Sequence, residues 1–314
     1  MAEVIKKATR ESFGEALAKL ADTNENIVVL DADLAAATKT GIFKKAHPDK
    51  FYDCGIAECN MIGIAAGLAT CGKIPFAASF AMFSAGRAFE QVRNSVCYPK
   101  LNVKVVGSHA GISVGEDGAT HQCLEDIALM RSIPNMVVIN PCDHYEMQAA
   151  VKAMAEHYGP CYVRLGRLAV ETVNNNDDYK FEIGKGVQLR DGSDITVVAT
   201  GLLVQEAVKA ADALKDQGIS VRVINIHTIK PLDEEIILKA AKETGKIITA
   251  EEHNVIGGLG EAVSSLLSEK CPTPVKKIGV YDEFGHSGPA VDLLKQYGLS
   301  SENIEKTVKE FLGK

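Results

Sequence analysis

Short apolar runs alternate along this chain with longer stretches whose apolar residues recur at helical spacing. Residues 26–31 (Asn-Ile-Val-Val-Leu-Asp), 102–108 (Asn-Val-Lys-Val-Val-Gly-Ser) and 135–140 (Asn-Met-Val-Val-Ile-Asn) are blocks of aliphatic side chains closed by polar ones. Each has the length and content of a buried strand. Helical patterns at about residues 6–21, 85–96, 121–131 and 143–157 lie around them, and a further strand is expected at 161–165. This alternation predicts an α/β fold, a parallel sheet covered by helices.

A polar break follows, Val173-Asn-Asn-Asn-Asp-Asp-Tyr179, with turn and linker chemistry. Beyond it the alternation resumes. A short segment at 185–189 and a turn at 190–193 precede strands at 195–199, 221–225 and 246–250, with helices at 203–217 and 233–244. The expectation is two parallel-sheet α/β domains, residues 1–178 and 179–314, with the boundary near 172–190. The two halves share an architecture but no motif. A glycine-rich turn, Glu251-Glu-His-Asn-Val-Ile-Gly-Gly-Leu-Gly260, opens a helix in the second half. Such glycines permit close packing, and a lone turn of this kind favours a structural role over a phosphate site.

Composition narrows the function. The chain has 314 residues, enough for two cores, with 46% hydrophobic and 24% charged residues, a soluble globular profile. The net charge of −7 and the lack of a dense Lys/Arg cluster, Lys276-Lys277 being only a pair, argue against a nucleic-acid partner. No apolar run has membrane-spanning length, and the N-terminal residues lack a signal-peptide core. The eight cysteines (54, 59, 71, 97, 123, 142, 161 and 271) include no Cys-x-x-Cys pair. They read as mostly buried, reduced thiols of a cytoplasmic protein, with no metal site.

Four clusters carry candidate chemistry. In Asp53-Cys-Gly-Ile-Ala-Glu58-Cys-Asn-Met-Ile62, Glu58 follows a turn at Gly55 and precedes an apolar helix at 62–69. A carboxyl in so apolar a place is expected to hold its proton more tightly, which suits proton transfer. An ordinary first-turn glutamate gives the same spacing. In Phe76-Ala-Ala-Ser-Phe80-Ala-Met-Phe83, aromatics separated by small residues could face a planar ring or fill a core. Ser108-His109-Ala-Gly-Ile-Ser-Val-Gly-Glu-Asp117-Gly-Ala-Thr-His121-Gln122 places two histidines and an acidic pair in a loop after a strand. Loops at the carboxyl ends of parallel strands are where such sheets bind ligands. Arg164-Leu-Gly-Arg167, again at a strand end, offers guanidinium groups suited to a phosphate.

Together, Gly55-Ile-Ala-Glu-Cys-Asn-Met, the aromatic run ending at Phe83, and Gly115-Glu-Asp-Gly-Ala-Thr-His-Gln resemble the pyrimidine-binding half of transketolase. The likeness continues through the second half. It spans the whole chain, but only the C-terminal half of a conventional transketolase. No segment supplies the family's Gly-Asp-Gly…Asn diphosphate and magnesium motif. The resemblance therefore implies the C-terminal subunit of a split transketolase, inactive alone. It also implies an N-terminal partner subunit holding the diphosphate of thiamine diphosphate and Mg²⁺, in an α2β2 heterotetramer that acts on sugar phosphates.

Matched position by position, the resemblance gives Glu58 the role of the glutamate bonded to N1′ of the cofactor's aminopyrimidine. Ile56 supports the bent cofactor, Phe80 and Phe83 flank its pyrimidine, and Asp33 lies near its thiazolium. His109, Asp117 and His121 match substrate-contacting residues, with both histidines shuttling protons, and Arg167 matches the arginine of the sugar phosphate. Two departures stand out. A phosphate-binding serine is absent after Leu34, where Ala35-Ala-Ala-Thr38-Lys-Thr40 stands, leaving Lys39 or Thr40 as substitutes. The arginine that usually accompanies the glutamate is replaced by Ala57. The second half implies a packing and dimerisation module, with His253 unassigned. Alternatives left open are a 2-oxoacid dehydrogenase β subunit, deoxyxylulose phosphate synthesis, a relative for another sugar, and a non-catalytic assembly subunit.

Overall fold

The computed structural model describes residues 4–174 and 179–314. The polar break read as a linker falls largely on residues 175–178, outside the described residues. The first half contributes strands β1 (Lys6–Ala8), β2 (Ile27–Asp31), β3 (Phe51–Asp53), β4 (Ile74–Phe80), β5 (Lys104–Ser108), β6 (Val137–Ile139), β7 (Cys161–Arg164) and β8 (Ala169–Glu171). The second contributes β9 (Val187–Arg190), β10 (Ile195–Ala199), β11 (Val221–Asn225), β12 (Thr228–Lys230), β13 (Ile247–Asn254) and β14 (Val275–Val280).

Two large sheets result. The first has the order β12-β6-β7-β5-β4-β2-β3, parallel throughout except for β12, which runs antiparallel to β6. The second has the order β14-β13-β10-β11-β9, with only β9 antiparallel. β1 and β8 form a small antiparallel ribbon. This is the α/β architecture that the alternation predicts. Strands β2 and β5 are buried along their whole length, as covering both faces of a parallel sheet requires.

The two halves share apolar packing. One cluster runs from Leu30 and Ile62 through Tyr162 to Val198, Ile224 and Leu267. Strand β12, from the second half, also completes the first sheet by pairing with β6, whose outer edge would otherwise expose unpaired amide and carbonyl groups. Polar groups tie the halves as well. Buried Glu146 of the first half accepts from Tyr179 Oη and Asn225 Nδ2 of the second, both at 2.7 Å.

Three local expectations change. Residues 74–80, which sequence pattern marks only as an aromatic run, form strand β4 at the middle of the sheet. Its Ala77-Ala-Ser79 centre has little strand propensity, and the neighbours β2 and β5 impose the conformation. The helix expected from residue 121 begins only at Asp126, because Gln122 is used to close the preceding loop onto the carbonyls of Ile112 and Gly115. The helix expected at 85–96 is built largely of wide turns, with i+5 bonds from Ala88 N to Phe83 O and from Tyr98 N to Arg93 O. Of the cysteines, Cys97, Cys123, Cys142 and Cys161 are buried, and all eight are free thiols. Among the described residues no helix is long and apolar enough to cross a membrane.

Candidate active site

The parallel strands of the first sheet all deliver their loops to one rim. Asp33 follows β2, Ile56 and Glu58 follow β3, Phe80 ends β4, His109 follows β5, and Arg167 follows β7. The register aligns these ends: Asp31 pairs with Asp53 and with Ala78, and Phe80 pairs with Ser108. Residues far apart in sequence thus converge because the sheet is parallel.

The turn into Glu58 is set by Gly55. Its φ of +67° favours glycine, its amide donates to Asp53 Oδ1, and Ala57 N closes the turn onto Gly55 O. Helix Glu58–Thr70 then starts with the glutamate itself, which is only 2% exposed. Arg87 Nη1 donates to Glu58 Oε2 at 2.9 Å. The same guanidinium lies 4.6 Å from the centre of the Phe83 ring. Arg87 comes from the wide-turn segment Met82–Arg87 and supplies the cation that Ala57 does not. Phe83 in turn lies nearly parallel to Phe80, with centroids 6.0 Å apart and planes at 15°.

A second group joins the aromatics to the histidine loop. The His109 ring stacks on Phe80 at 4.0 Å, and His121 presents its edge to Phe80 and Phe83 at 6.1 and 5.4 Å. His109 is buried, with Nδ1 2.9 Å from Ser108 Oγ and Nε2 3.3 Å from Arg10 Nη1. A guanidinium can only donate, so Nε2 accepts and the ring proton sits on Nδ1. Burial pushes the His109 pKa down to about 3, with the charges of Arg10 and Arg167 and nearby His121 adding to the effect. The ring is therefore neutral at ordinary pH. His121 is half-buried, with Nδ1 2.9 Å from Thr120 Oγ1.

Arg10 and Arg167 make the pocket cationic. Arg167 Nη1 donates to Glu116 Oε2 at 2.6 Å and to the carbonyl of Val114. Arg10 Nη1 donates to Ala37 O at 2.8 Å, while its buried Nε has no hydrogen-bond partner among the described residues. Burial lowers the Arg10 pKa; neighbouring Glu11 opposes the shift and Arg167 adds to it. Two guanidinium groups and an orphaned buried donor are chemistry suited to an anion. Asp33, Ile56 and Asp117 are exposed on this rim and form no hydrogen bond with the others among the described residues. Asp33 has a φ of +61° and Ile56 is 78% exposed.

The substitutes considered for the missing serine divide. Thr38 and Thr40 both turn their hydroxyls onto buried Asp31, at 2.7 and 2.8 Å. Lys39 Nζ stays at the surface, 3.7 Å from Glu11. In the second half, Glu251 accepts from the amides of Leu259 and Gly260, both at 2.7 Å, so the glycine-rich helix start is capped by the chain's own carboxylate. His253 is buried at the seam and accepts from Ala128 N at 3.4 Å. Sequence reasoning missed Arg10 and Arg87. The loss of the cation at position 57 was the available signal for Arg87. Arg10, in the first turn of an amphipathic helix, carries none.

Residues 5–172 match the transketolase pyrimidine-binding domain and residues 184–304 the transketolase C-terminal domain. The chain belongs to the transketolase family. A Methanocaldococcus jannaschii protein designated a transketolase C-terminal section is 52% identical over 310 residues, covering 98% of this chain and 97% of that one. The 6-deoxy-6-sulfo-D-fructose transketolase subunit SqwH of a Clostridium species is 44% identical, covering 96% and 93% of the two chains. A solved structure described as a split gene transketolase, inactive beta4 tetramer, superposes with a TM-score of 0.91 at 51% identity, covering 98% and 99%. The chain is thus the C-terminal subunit of a split transketolase, with the pyrimidine-binding domain first. Its relatives imply a separate N-terminal subunit, and the family generally uses thiamine diphosphate.

Proposed function

We propose that this subunit, joined to its N-terminal partner, transfers a two-carbon ketol group from a ketose phosphate to an aldose phosphate. The domains fall at residues 1–178 and 179–314, and two copies of each subunit form the α2β2 assembly. The partner holds the diphosphate and Mg²⁺ of thiamine diphosphate. The observation that carries this reading is the shared rim itself: a buried carboxylate and an aromatic face, Glu58 and Phe83, stand on the same rim as the guanidinium groups of Arg10 and Arg167 and the neutral imidazole of His109.

The residues present fit the cofactor's pyrimidine. An aminopyrimidine needs a flat face to stack on and a carboxylate at its edge, and Phe83 and Glu58 offer both, with Arg87 touching each. Phe80, Ile56 and Asp33 line the same rim. When bound, thiamine diphosphate supplies the electron sink for a two-carbon carbanion. Glu58 holds or shares the proton at the pyrimidine edge. Arg10 and Arg167 bind the sugar phosphate, and Asp117 and His109 bind sugar hydroxyls. An anion that engages Arg10 releases His109 Nε2 to accept a hydroxyl proton, while the Nδ1 proton stays toward Ser108. His121, half-exposed at the aromatic edge, carries protons between hydroxyl and solvent.

The test mixes the purified chain with its N-terminal subunit, thiamine diphosphate and Mg²⁺, using xylulose 5-phosphate and ribose 5-phosphate. Transfer is expected only from the mixture, and Glu58→Gln should remove most of it while the subunits still co-elute. No transfer by the wild-type mixture defeats the proposal. A second reading, a different sugar, draws on Thr40 being committed to Asp31 and on the relative that is a sulfofructose transketolase subunit. A donor panel including a sulfonated ketose separates the two.

A further inference from the structure

The loop that carries His109, Asp117 and His121 is fastened by the second half of the chain at a buried carboxylate. Glu252 lies on β13 and is 4% exposed. Its Oε1 accepts a hydrogen bond from Ser113 N at 2.6 Å. Ser113 is the centre of a tight turn, Ile112–Val114, and the carbonyl at the end of that turn receives Arg167 Nη1. Four residues before Ser113 stands His109. Gly111, with φ of +87°, lets the carboxyl approach so closely that a Cβ there would lie 2.4 Å from it. The backbone of Glu252 is fixed too, because Arg164 Nη2 donates to its carbonyl at 2.8 Å and Arg164 Nε to Asp126 at 2.8 Å. A second tie joins Gln122 Nε2 to His286 O at 3.0 Å.

We infer that Glu252 is a positioning residue contributed by the C-terminal domain, which holds the 112–114 turn and through it sets Arg167 and His109 against the pocket. This rests on the proposed function only for its kinetic arm. Glu252 touches none of the pocket groups, so it acts through the turn. The contact is a short hydrogen bond to a buried amide, and it adds a tie from the second half to those that Gln122 and Arg167 make within the loop.

The first measurement needs no partner subunit. The imidazoles of the full chain are titrated by NMR, the His109 signal being the one of eight lost in His109→Gln. His109 faces Arg10, Arg167 and His121; burial is the main cause that lowers its pKa and these neighbours add to it, so a loop that moves away from the pocket should raise the midpoint. Glu252→Ala, and Glu252→Asp with its shorter reach, should move the His109 midpoint up toward the ordinary value of 6.5. Glu252→Gln, which keeps an acceptor oxygen for Ser113 N, should titrate like wild type. The Asp variant serves if the Ala variant fails to fold. A merely structural role lowers the melting temperature and leaves the His109 midpoint unmoved in every variant, which overturns the inference; so does a Gln variant that behaves like the others. With the N-terminal subunit, Glu252→Asp should raise KM for the phosphorylated acceptor about tenfold, the scale of one charged contact at Arg167, and lower kcat as His109 is displaced, while Glu252→Gln keeps both near wild type. A fall in kcat alone counts against the inference. If the wild-type mixture transfers nothing, the functional proposal fails and the titration still decides the role of Glu252.

Discussion

Replacing Arg87 by methionine keeps its stem against Phe83 and removes its charge. Glu58, which is 2% exposed with Arg87 in place, then loses the one side-chain hydrogen-bond partner it has among the described residues. Breaking a fully buried ion pair by deleting one member costs about 3–5 kcal/mol. Here the arginine side chain is 51% exposed, so water reaches the vacated side and the cost falls to about 1–2 kcal/mol. Loss of the cation over Phe83 adds about 0.5 kcal/mol, the value for an exposed site. A total near 2 kcal/mol lowers the melting temperature by about 4–8 °C on the scale of a 150–250-residue unit. The chain has no tryptophan, so far-UV circular dichroism follows the unfolding. The decisive comparison is a double-mutant cycle of Arg87→Met with Glu58→Gln. Glu58→Gln should recover most of the loss in the Arg87→Met background, giving a coupling of at least about 1 kcal/mol. Additive effects, or an Arg87→Met variant with wild-type stability, would refute the claim that Arg87 holds Glu58 in place.

Other perturbations reach different parts of the chain. His227 is buried against Phe181, and burial pulls its pKa down to about 4, with Asp233 opposing. The unfolded chain binds a proton at this residue near pH 6.5 and the folded chain does not, so acid favours unfolding; by pH 5 this amounts to about 2 kcal/mol, and His227→Gln should flatten the fall in urea midpoint between pH 7 and 5. Glu251→Ala strips the acceptor from two buried amides at the start of helix Leu259–Lys270 and should cost about 3 kcal/mol in urea unfolding, with Glu251→Gln losing less. Gly107→Ala puts a Cβ 2.1 Å from Tyr162 Oη, which is buried and bonded to Asp126; the overpacking should cost about 2–3 kcal/mol and be visible as lowered thermal stability. Arg10→Gln should raise KM for phosphorylated sugars in the assembled enzyme by about tenfold or more while leaving a non-phosphorylated acceptor nearly unaffected.

The alternation of apolar runs and helical patterns was enough to predict an α/β chain in two halves. Local motifs marked Glu58, the aromatic pair, the histidine loop and Arg167. These features are legible because they depend on short-range spacing: a run of aliphatic residues, a glycine turn before a helix, a string of polar residues after a strand. Strand β4 escaped because its centre is small side chains whose conformation comes from the strands on either side. Strand β12 escaped because its partner lies in the other half of the chain. Arg10 and Arg87 look like ordinary surface cations until folding sets one beside His109 and the other on Glu58. The neutral state of His109 depends on burial and on charges brought from residues 10 and 167, and the clasp of Glu252 on Ser113 joins positions 139 residues apart. Sequence spacing fixes which chemistry a segment can offer. Which groups meet, and in what charge state, follows from desolvation and from long-range contacts that only the packed sheet creates.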